Sequence, residues 1–262
     1  MITVAVIKNA FPILEYDPEQ KAVLMPDRKH LYTFPRKAVI SFDGVDDYVK
    51  ENNCEQIGEF NTCTKLFPIY KAMWNECEIL LCQVPLGASA AVQFLDFLIA
   101  YGAKEIIAVG SCGTLIDLPE NHFIVPKEAL RDEGVSYHYL PPSRTVELNP
   151  VAISAIKEAL EAKGYKYTLC KTWSTDGFYR STVDMLNHRK EEGCTVVEME
   201  CAGLAACAQF RGAVFGQLLY TADTLANVNA YDARDWGKAS ERIALELTLN
   251  SVCKIKGTIE ND

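Results

Sequence analysis

No two cysteines of this chain are spaced as CxxC, and its four histidines do not stand beside the ten cysteines. A zinc centre and a disulfide framework are therefore not expected, and no metal site is assigned. Most cysteines lie inside apolar segments, as Cys82, Cys112 and Cys207 do, and read as reduced core thiols of a cytoplasmic protein. Basic clustering is also missing. The net charge is −9 and the Lys and Arg residues are scattered, which argues against nucleic acid or an anionic membrane as partner. No apolar run approaches the length of a membrane span. The start, Met1-Ile2-Thr3-Val4-Ala5-Val6-Ile7, has neither a cationic region nor a cleavage pattern, so it reads as a strand rather than a signal peptide. There is no internal repeat, low-complexity tract or long linker.

What remains is an ordinary globular make-up: 262 residues, 49% hydrophobic and 23% charged. Strand-like apolar runs recur at residues 2–7, 38–42, 79–84, 105–109, 123–125, 168–173, 195–197 and 213–221. Helical patterns fall between several of them. Ser89 to Tyr101 carries Val92, Phe94, Leu95, Leu98 and Ile99. Asn149 caps a segment that Gly164 closes, and Trp236 to Cys253 reads as a long amphipathic helix. The alternation predicts an α/β fold, a three-layer α/β/α sandwich around a mixed sheet. The whole chain is read as one domain, with residues 1–36, rich in Pro and aromatics, as a peripheral extension.

Four segments carry chemistry. Val196-Val197-Glu198-Met199-Glu200-Cys201-Ala202-Gly203 places two carboxylates where a buried strand becomes a small-residue helix, and ligand sites of α/β sheets concentrate at such junctions. A carboxylate only accepts hydrogen bonds and a sugar diol donates two, so Glu198 and Glu200 suit a ribose. The competing reading is a pair of first-turn acids favoured by the helix dipole. Val109-Gly110-Ser111-Cys112-Gly113 reads as a strand ending in a small-residue turn, either a nest for an anion or ribose or a tight turn made for packing. Asp223 ends the strand Leu218–Thr221. It is either an N-cap or a general acid for a leaving group. In Ser174-Thr175-Asp176-Gly177-Phe178-Tyr179-Arg180, Phe178 or Tyr179 either stacks on a planar base or packs in the core.

Together, VGSCG at 109–113, STDGFY at 174–179, VVEMECAG at 196–203 and TAD at 221–223 resemble the nucleoside phosphorylase superfamily. That superfamily groups purine nucleoside phosphorylases, uridine phosphorylases and the related methylthioadenosine/S-adenosylhomocysteine nucleosidases. RDEGVSYHYLPP at 131–142 resembles its uridine phosphorylase side, and the likeness runs from about Ala38 to the C-terminal helix. The resemblance implies cleavage of the N-glycosidic bond of a nucleoside, purine-like because of Asp223, by a homo-oligomer. No cofactor is implied; inorganic phosphate is the co-substrate if the enzyme is a phosphorylase. By the same resemblance Glu200 holds the ribose hydroxyls, with Met199 against the sugar and Glu198 nearby. Ser111, with Cys112 and Gly113, touches the phosphate or its replacement. Phe178 and Val197 meet the base, and Asp223 protonates or hydrogen-bonds purine N7.

The chain departs from the resemblance at the phosphate. The family's Gly-Asp-Pro loop and following arginine correspond to Ser41–Asp47, where Phe42 replaces the glycine and Asp46 the arginine. A second arginine position holds Ala108, and near a third, at residues 60–64, the only cation is Lys65. Arg180, Arg28 or Arg36 would have to refill the cage, Arg180 first. In the hydrolytic relatives a glutamate at the arginine position orients water, a role open here to Asp46 or Asp47. The expectations are thus phosphorolysis first, hydrolysis second, and a nucleoside-binding protein without turnover third.

Overall fold

The computed structural model describes residues 6–256, so most of the expected first strand at residues 2–7 lies outside the described residues. From residue 6 to Arg36 the chain carries one 3-10 turn, Pro12–Leu14, and an isolated bridge between Ile7 and Tyr16. It is anchored by Tyr32 and Phe34, whose rings stack 5.0 Å apart and meet Phe97 and Tyr101.

The elements then follow as β1 (Lys37–Ser41), α1 (Asp46–Glu51), β2 (Glu55–Asn61), β3 (Leu66–Trp74), β4 (Cys77–Gln83), α2 (Ala88–Ala100), β5 (Glu105–Thr114), β6 (Phe123–Asp132) and β7 (Thr145–Glu147). After them come α3 (Pro150–Ala162), β8 (Tyr167–Thr175), α4 (Val183–Glu191), β9 (Cys194–Glu198), α5 (Cys201–Phe210), β10 (Val214–Thr224) and α6 (Glu241–Lys254). The α/β class is as expected, and the sheet is mixed. β5 lies parallel to β1 and β10, β10 pairs antiparallel with β6, and β6, β8 and β9 run parallel. The last residues of β5 return to β9, with Gly113 opposite Val197 and Thr114 opposite Val196. Five strands therefore close on themselves. β1, β4, β3 and β2 extend the sheet outward from β5.

Helices cover both faces. α2 and α5 pack together on one side, over a core of Ile40, Leu80, Phe94, Leu95, Ile106 and Phe215. α3 and α6 pack together on the other, over Val39, Leu81, Ile107, Leu218 and Tyr220. α5 is buried from Cys201 to Ala208, as its small side chains require. The Asn149 side chain caps α3 by accepting from the Val151 N–H, and Gly164 (φ 72°) follows its end.

Several boundaries differ from expectation. The hairpin β2–β3 and the helices α1 and α4 are additional elements. The C-terminal helix begins at Glu241, because Trp236 and Gly237 take left-handed backbone (φ 56° and 69°) that an α-helix cannot contain. Residues 110–114 continue β5 instead of turning, held by both β10 and β9. Among the described residues no helix is long and apolar enough to cross a membrane.

Candidate active site

The ends of β5, β8, β9 and β10 meet at one mouth of the closed sheet, where a cavity of about 580 Å³ opens. Gly113, Thr175, Val197, Glu198, Met199 and Asp223 line it from the strand ends. Phe178, Tyr179, Ser181 and Leu186 also line it, as do Leu225, Asn227, Val228, Tyr231 and Trp236. The size falls in the usual range for small-ligand sites, roughly 300–1,000 Å³.

Asp223 belongs to β10 and no helix follows it, so the N-cap reading falls. Burial pushes its carboxyl above the ordinary range. The Tyr231 hydroxyl and the charge of Arg234 act in the opposite direction. Gly113 makes the room: a Cβ there would lie 3.1 Å from Asp223 Oδ1, 3.0 Å from Leu225 Cδ1 and 3.1 Å from Val197 Cγ1. A partly buried carboxylic acid facing an aromatic cavity is chemically a proton donor for a planar leaving group.

Glu198 fulfils the competing reading of its segment. Its Oε2 accepts from the N–H groups of Glu200 and Cys201, both at 2.7 Å, at the start of α5. Its Oε1 accepts from Ser174 Oγ at 2.5 Å and Thr172 Oγ1 at 3.2 Å. Four donors use the capacity of one carboxylate, so Glu198 shapes the cavity wall and has nothing left for a diol. Glu200 does not line the cavity. It is 3% exposed and accepts from the Gly87 N–H at 2.6 Å and the Met199 N–H at 3.2 Å. Burial and the charge of Glu198 push it up to about 8.

The other expected site residues are placed as follows. Phe178 stands at the mouth, half exposed, its ring edge-on to Tyr179. Ser111 is exposed on β5, two residues from Gly113, and does not line the cavity. Cys112 alternates to the opposite face and packs with Ile124, Cys170, Val196 and Leu219. Arg180 lies exposed between two lining residues, its backbone N–H on the Gly177 carbonyl at 2.7 Å. Asp46 and Asp47 are not brought to the cavity. They begin α1, and Asp46 lines a separate cleft of about 150 Å³ with Lys65 and Gln83. Arg28 lines another cavity, beside α2, and Arg36 pairs with Glu105 at 3.1 Å.

The segment from Leu225 to Trp236 carries lining residues that pattern reading missed. It is irregular, and long-range contacts fix it. Arg234 donates to the carbonyls of Ala222 and Leu118 at 3.3 and 2.8 Å. Glu120 accepts from the N–H groups of Asp235 and Gly237, and Lys190 Nζ donates to the Ala226 carbonyl at 3.1 Å. A signal was present in its aromatic and apolar residues directly after Asp223, Leu225, Val228, Tyr231 and Trp236, but without periodicity.

Comparison with known proteins bears on this arrangement. The phosphorylase superfamily model matches residues 37–248. The chain is 28% identical over 139 residues to the DeoD-type purine nucleoside phosphorylase of Dichelobacter nodosus, a match that spans 52% of this chain and 58% of that protein. Among solved structures, it resembles the purine nucleoside phosphorylase of Toxoplasma gondii (20% identity, TM-score 0.72, covering 87% of this chain and 92% of that one). It also resembles the AMP nucleosidase of Bacteroides thetaiotaomicron (20% identity, TM-score 0.69, covering 87% and 91%). The structural likenesses carry the fold alone.

Proposed function

Because the chain belongs to the phosphorylase superfamily, we propose that it cleaves the N-glycosidic bond of a purine nucleoside with Asp223 as general acid. The observation that carries this reading is Asp223 itself, a carboxyl in the wall of a cavity lined by aromatic residues, raised by burial. Scission builds positive charge on the sugar and negative charge on the base. An acid at N7 neutralises the base as it leaves, a contribution of about 10²- to 10⁴-fold. Phe178, Tyr179, Tyr231 and Trp236 offer flat apolar surface to the purine. Glu200 stands behind Met199, which lines the cavity, and we propose that it meets the sugar once a ligand draws it to the lining. It keeps acceptor capacity that Glu198 has exhausted. The enzyme needs no resident cofactor, and we propose that it works in the cytoplasm as a homo-oligomer.

Phosphate is the acceptor that the phosphorylase relatives favour. Water is the second reading, and a specific observation favours it. The loop after β1 carries Asp43 and no arginine, and the Phe42 ring lies over Gly110, 3.0 Å from where its Cβ would be. Among the described residues lining the cavity there is no Arg, Lys or His. With no cation in the lining, a phosphate dianion would be held there only if Arg180 turns inward. Release of free base from a nucleoside panel, with and without phosphate, tests both readings. Saturable acceleration by phosphate that Arg180→Ala abolishes supports phosphorolysis. Base release indifferent to phosphate supports hydrolysis. Nucleoside affinity without release leaves a binding protein and refutes the enzyme.

A further inference from the structure

The cysteines differ in what surrounds them. Six of the ten, Cys82, Cys112, Cys170, Cys194, Cys201 and Cys207, are buried, and Cys63 is exposed between β2 and β3. Cys54, Cys77 and Cys253 are each half-buried and pack against the core under α3 and α6. Two of these three thiols meet. Asn75 and Glu76 take left-handed backbone (φ 46° and 66°), a two-residue turn that folds β4 back on β3 and sets Cys77 opposite Trp74. From α6 the Cys253 thiol reaches the same turn and donates to the Trp74 carbonyl at 3.6 Å. It is also hydrogen-bonded to the Cys77 thiol. Lys37 fixes the helix end around it, its Nζ donating to the carbonyls of Val252 at 3.0 Å and Ile255 at 2.8 Å.

We infer that Cys77 and Cys253 form a reversible redox site, a dithiol at rest that hydrogen peroxide converts to a disulfide. Burial and the Cys77 contact push the Cys253 thiol up to about 12, so Cys77 reacts first. Cys77 loses its proton, its sulfur attacks one peroxide oxygen, and the O–O bond breaks. The departing hydroxide takes up a proton as water and leaves a sulfenic acid. The Cys253 sulfur then attacks the Cys77 sulfur, the S–O bond breaks, and the hydroxyl leaves with the Cys253 proton as a second water. Two electrons pass from the sulfurs to the peroxide. The bond ties the β3–β4 hairpin to the end of α6, two segments far apart in sequence, and such cross-links stabilise most. It lies away from the cavity. Cys77 precedes Ile79, which with Lys37 and Glu105 begins the parallel strands, whereas Gly113 stands eight residues beyond Glu105 on β5, roughly 25 Å along. The site is therefore a staple outside the proposed cleavage machinery and does not rest on it.

The test treats the folded full-length chain with hydrogen peroxide, blocks the remaining thiols with N-ethylmaleimide, and reads the digested peptides by mass alongside thermal melting. The expected result is a linked pair of peptides carrying Cys77 and Cys253, which dithiothreitol separates. Oxidation should raise Tm by at least about 5 °C, and reduction should reverse the rise. Cys77→Ser and, separately, Cys253→Ser should abolish both the link and the rise, while Cys54→Ser keeps them. Should a serine variant fail to fold, the linked wild-type peptides still decide. Linkage through Cys54 or Cys63 instead would overturn the inference. So would Cys77 and Cys253 that both stay open to the blocking reagent while Cys63 is oxidised. A Cys77–Cys253 link with unchanged or lowered Tm would overturn the staple.

Discussion

Gly113→Ala adds a single methyl group at the point where the strand end meets the acid. The added carbon would face Leu225 Cδ1 at 3.0 Å, Asp223 Oδ1 at 3.1 Å and Val197 Cγ1 at 3.1 Å. All three are side-chain atoms, so the backbone need not move, but each must retreat by a few tenths of an ångström. Val197 and Leu225 back onto a buried cluster and yield little. Asp223 is partly exposed to the cavity and yields most. Overpacking of this kind costs about 1–3 kcal/mol, and here the low end applies because one neighbour can move into open space. The catalytic cost is larger in proportion. General acid catalysis is worth about 10²- to 10⁴-fold, and an acid moved by part of an ångström forfeits a share of that, roughly tenfold in kcat/KM. The assay is base release from a purine nucleoside, alongside thermal melting. A 7-methylated purine nucleoside, which needs no proton at N7, should be largely spared. Wild-type turnover of the ordinary nucleoside by a folded Gly113→Ala protein would refute the placement of Asp223 as the acid. Equal losses on both nucleosides would show that the methyl group merely blocks the cavity.

Asp223→Asn should lower cleavage of ordinary purine nucleosides by about 10²-fold or more and spare the 7-methylated one; a similar loss on both makes Asp223 structural. Tyr231→Phe removes a hydrogen bond that holds the Asp223 carboxyl down. The acid then keeps its proton to higher pH, and the alkaline fall-off of kcat/KM should move upward; a downward move contradicts the assignment. Glu200→Gln places an amide where one oxygen now accepts a main-chain N–H. It should cost about 10²-fold on a ribonucleoside and much less on its 2′-deoxy analogue, and equal losses would sink the sugar role. Burial pushes Asp43, which accepts from the Tyr220 hydroxyl at 2.8 Å, up from 3.8 to about 6. A raised acid contributes stability that is full below its unfolded value and is lost as pH rises through about 6. Asp43→Asn should therefore melt above wild type at pH 8 by no more than about 3 kcal/mol, with the gap closing near pH 4; a gap independent of pH refutes this.

Local pattern carried the strand ends well and the connections poorly. Gly113, Phe178, Val197, Glu198, Met199 and Asp223 were legible because each sits at a strand end or one turn past it, and all six reach the cavity. Ser111 and Cys112 misled because glycines on either side suggest a turn. The period-two alternation of a continuing strand sends Ser111 to solvent and Cys112 into the core. The β2–β3 hairpin was invisible for a related reason. β2 exposes most of its residues at the sheet edge, so its sequence lacks the buried face that alternation detects. α4 is polar through most of its length and buries only Leu186 and Arg189, with Met185 partly covered. The Leu225–Trp236 segment is fixed by Arg234, Glu120 and Lys190, contacts that no local window contains.

The remaining misplacement, that of Asp46 and Asp47, has a physical cause that bears on the acceptor. The loop after β1 is pinned twice: the Phe42 N–H donates to the Val109 carbonyl at 3.0 Å, and Asp43 takes the Tyr220 hydroxyl. With Phe42 covering Gly110, the chain rises away from β5 before α1 begins, and Asp46 turns toward Lys65 and Gln83. A small residue at position 42 would leave the strand end bare, with space above Gly110 for an anion. The phenyl ring fills that space instead. The cation that stands next to the cavity lining is then Arg180, exposed between Tyr179 and Ser181. In the proposed reaction the choice between phosphate and water thus rests on one exposed cationic side chain, not on a cage of arginines. Weak retention of phosphate is the consequence even if phosphorolysis is the reaction, because a single exposed arginine supplies far less than several bidentate contacts in a buried site.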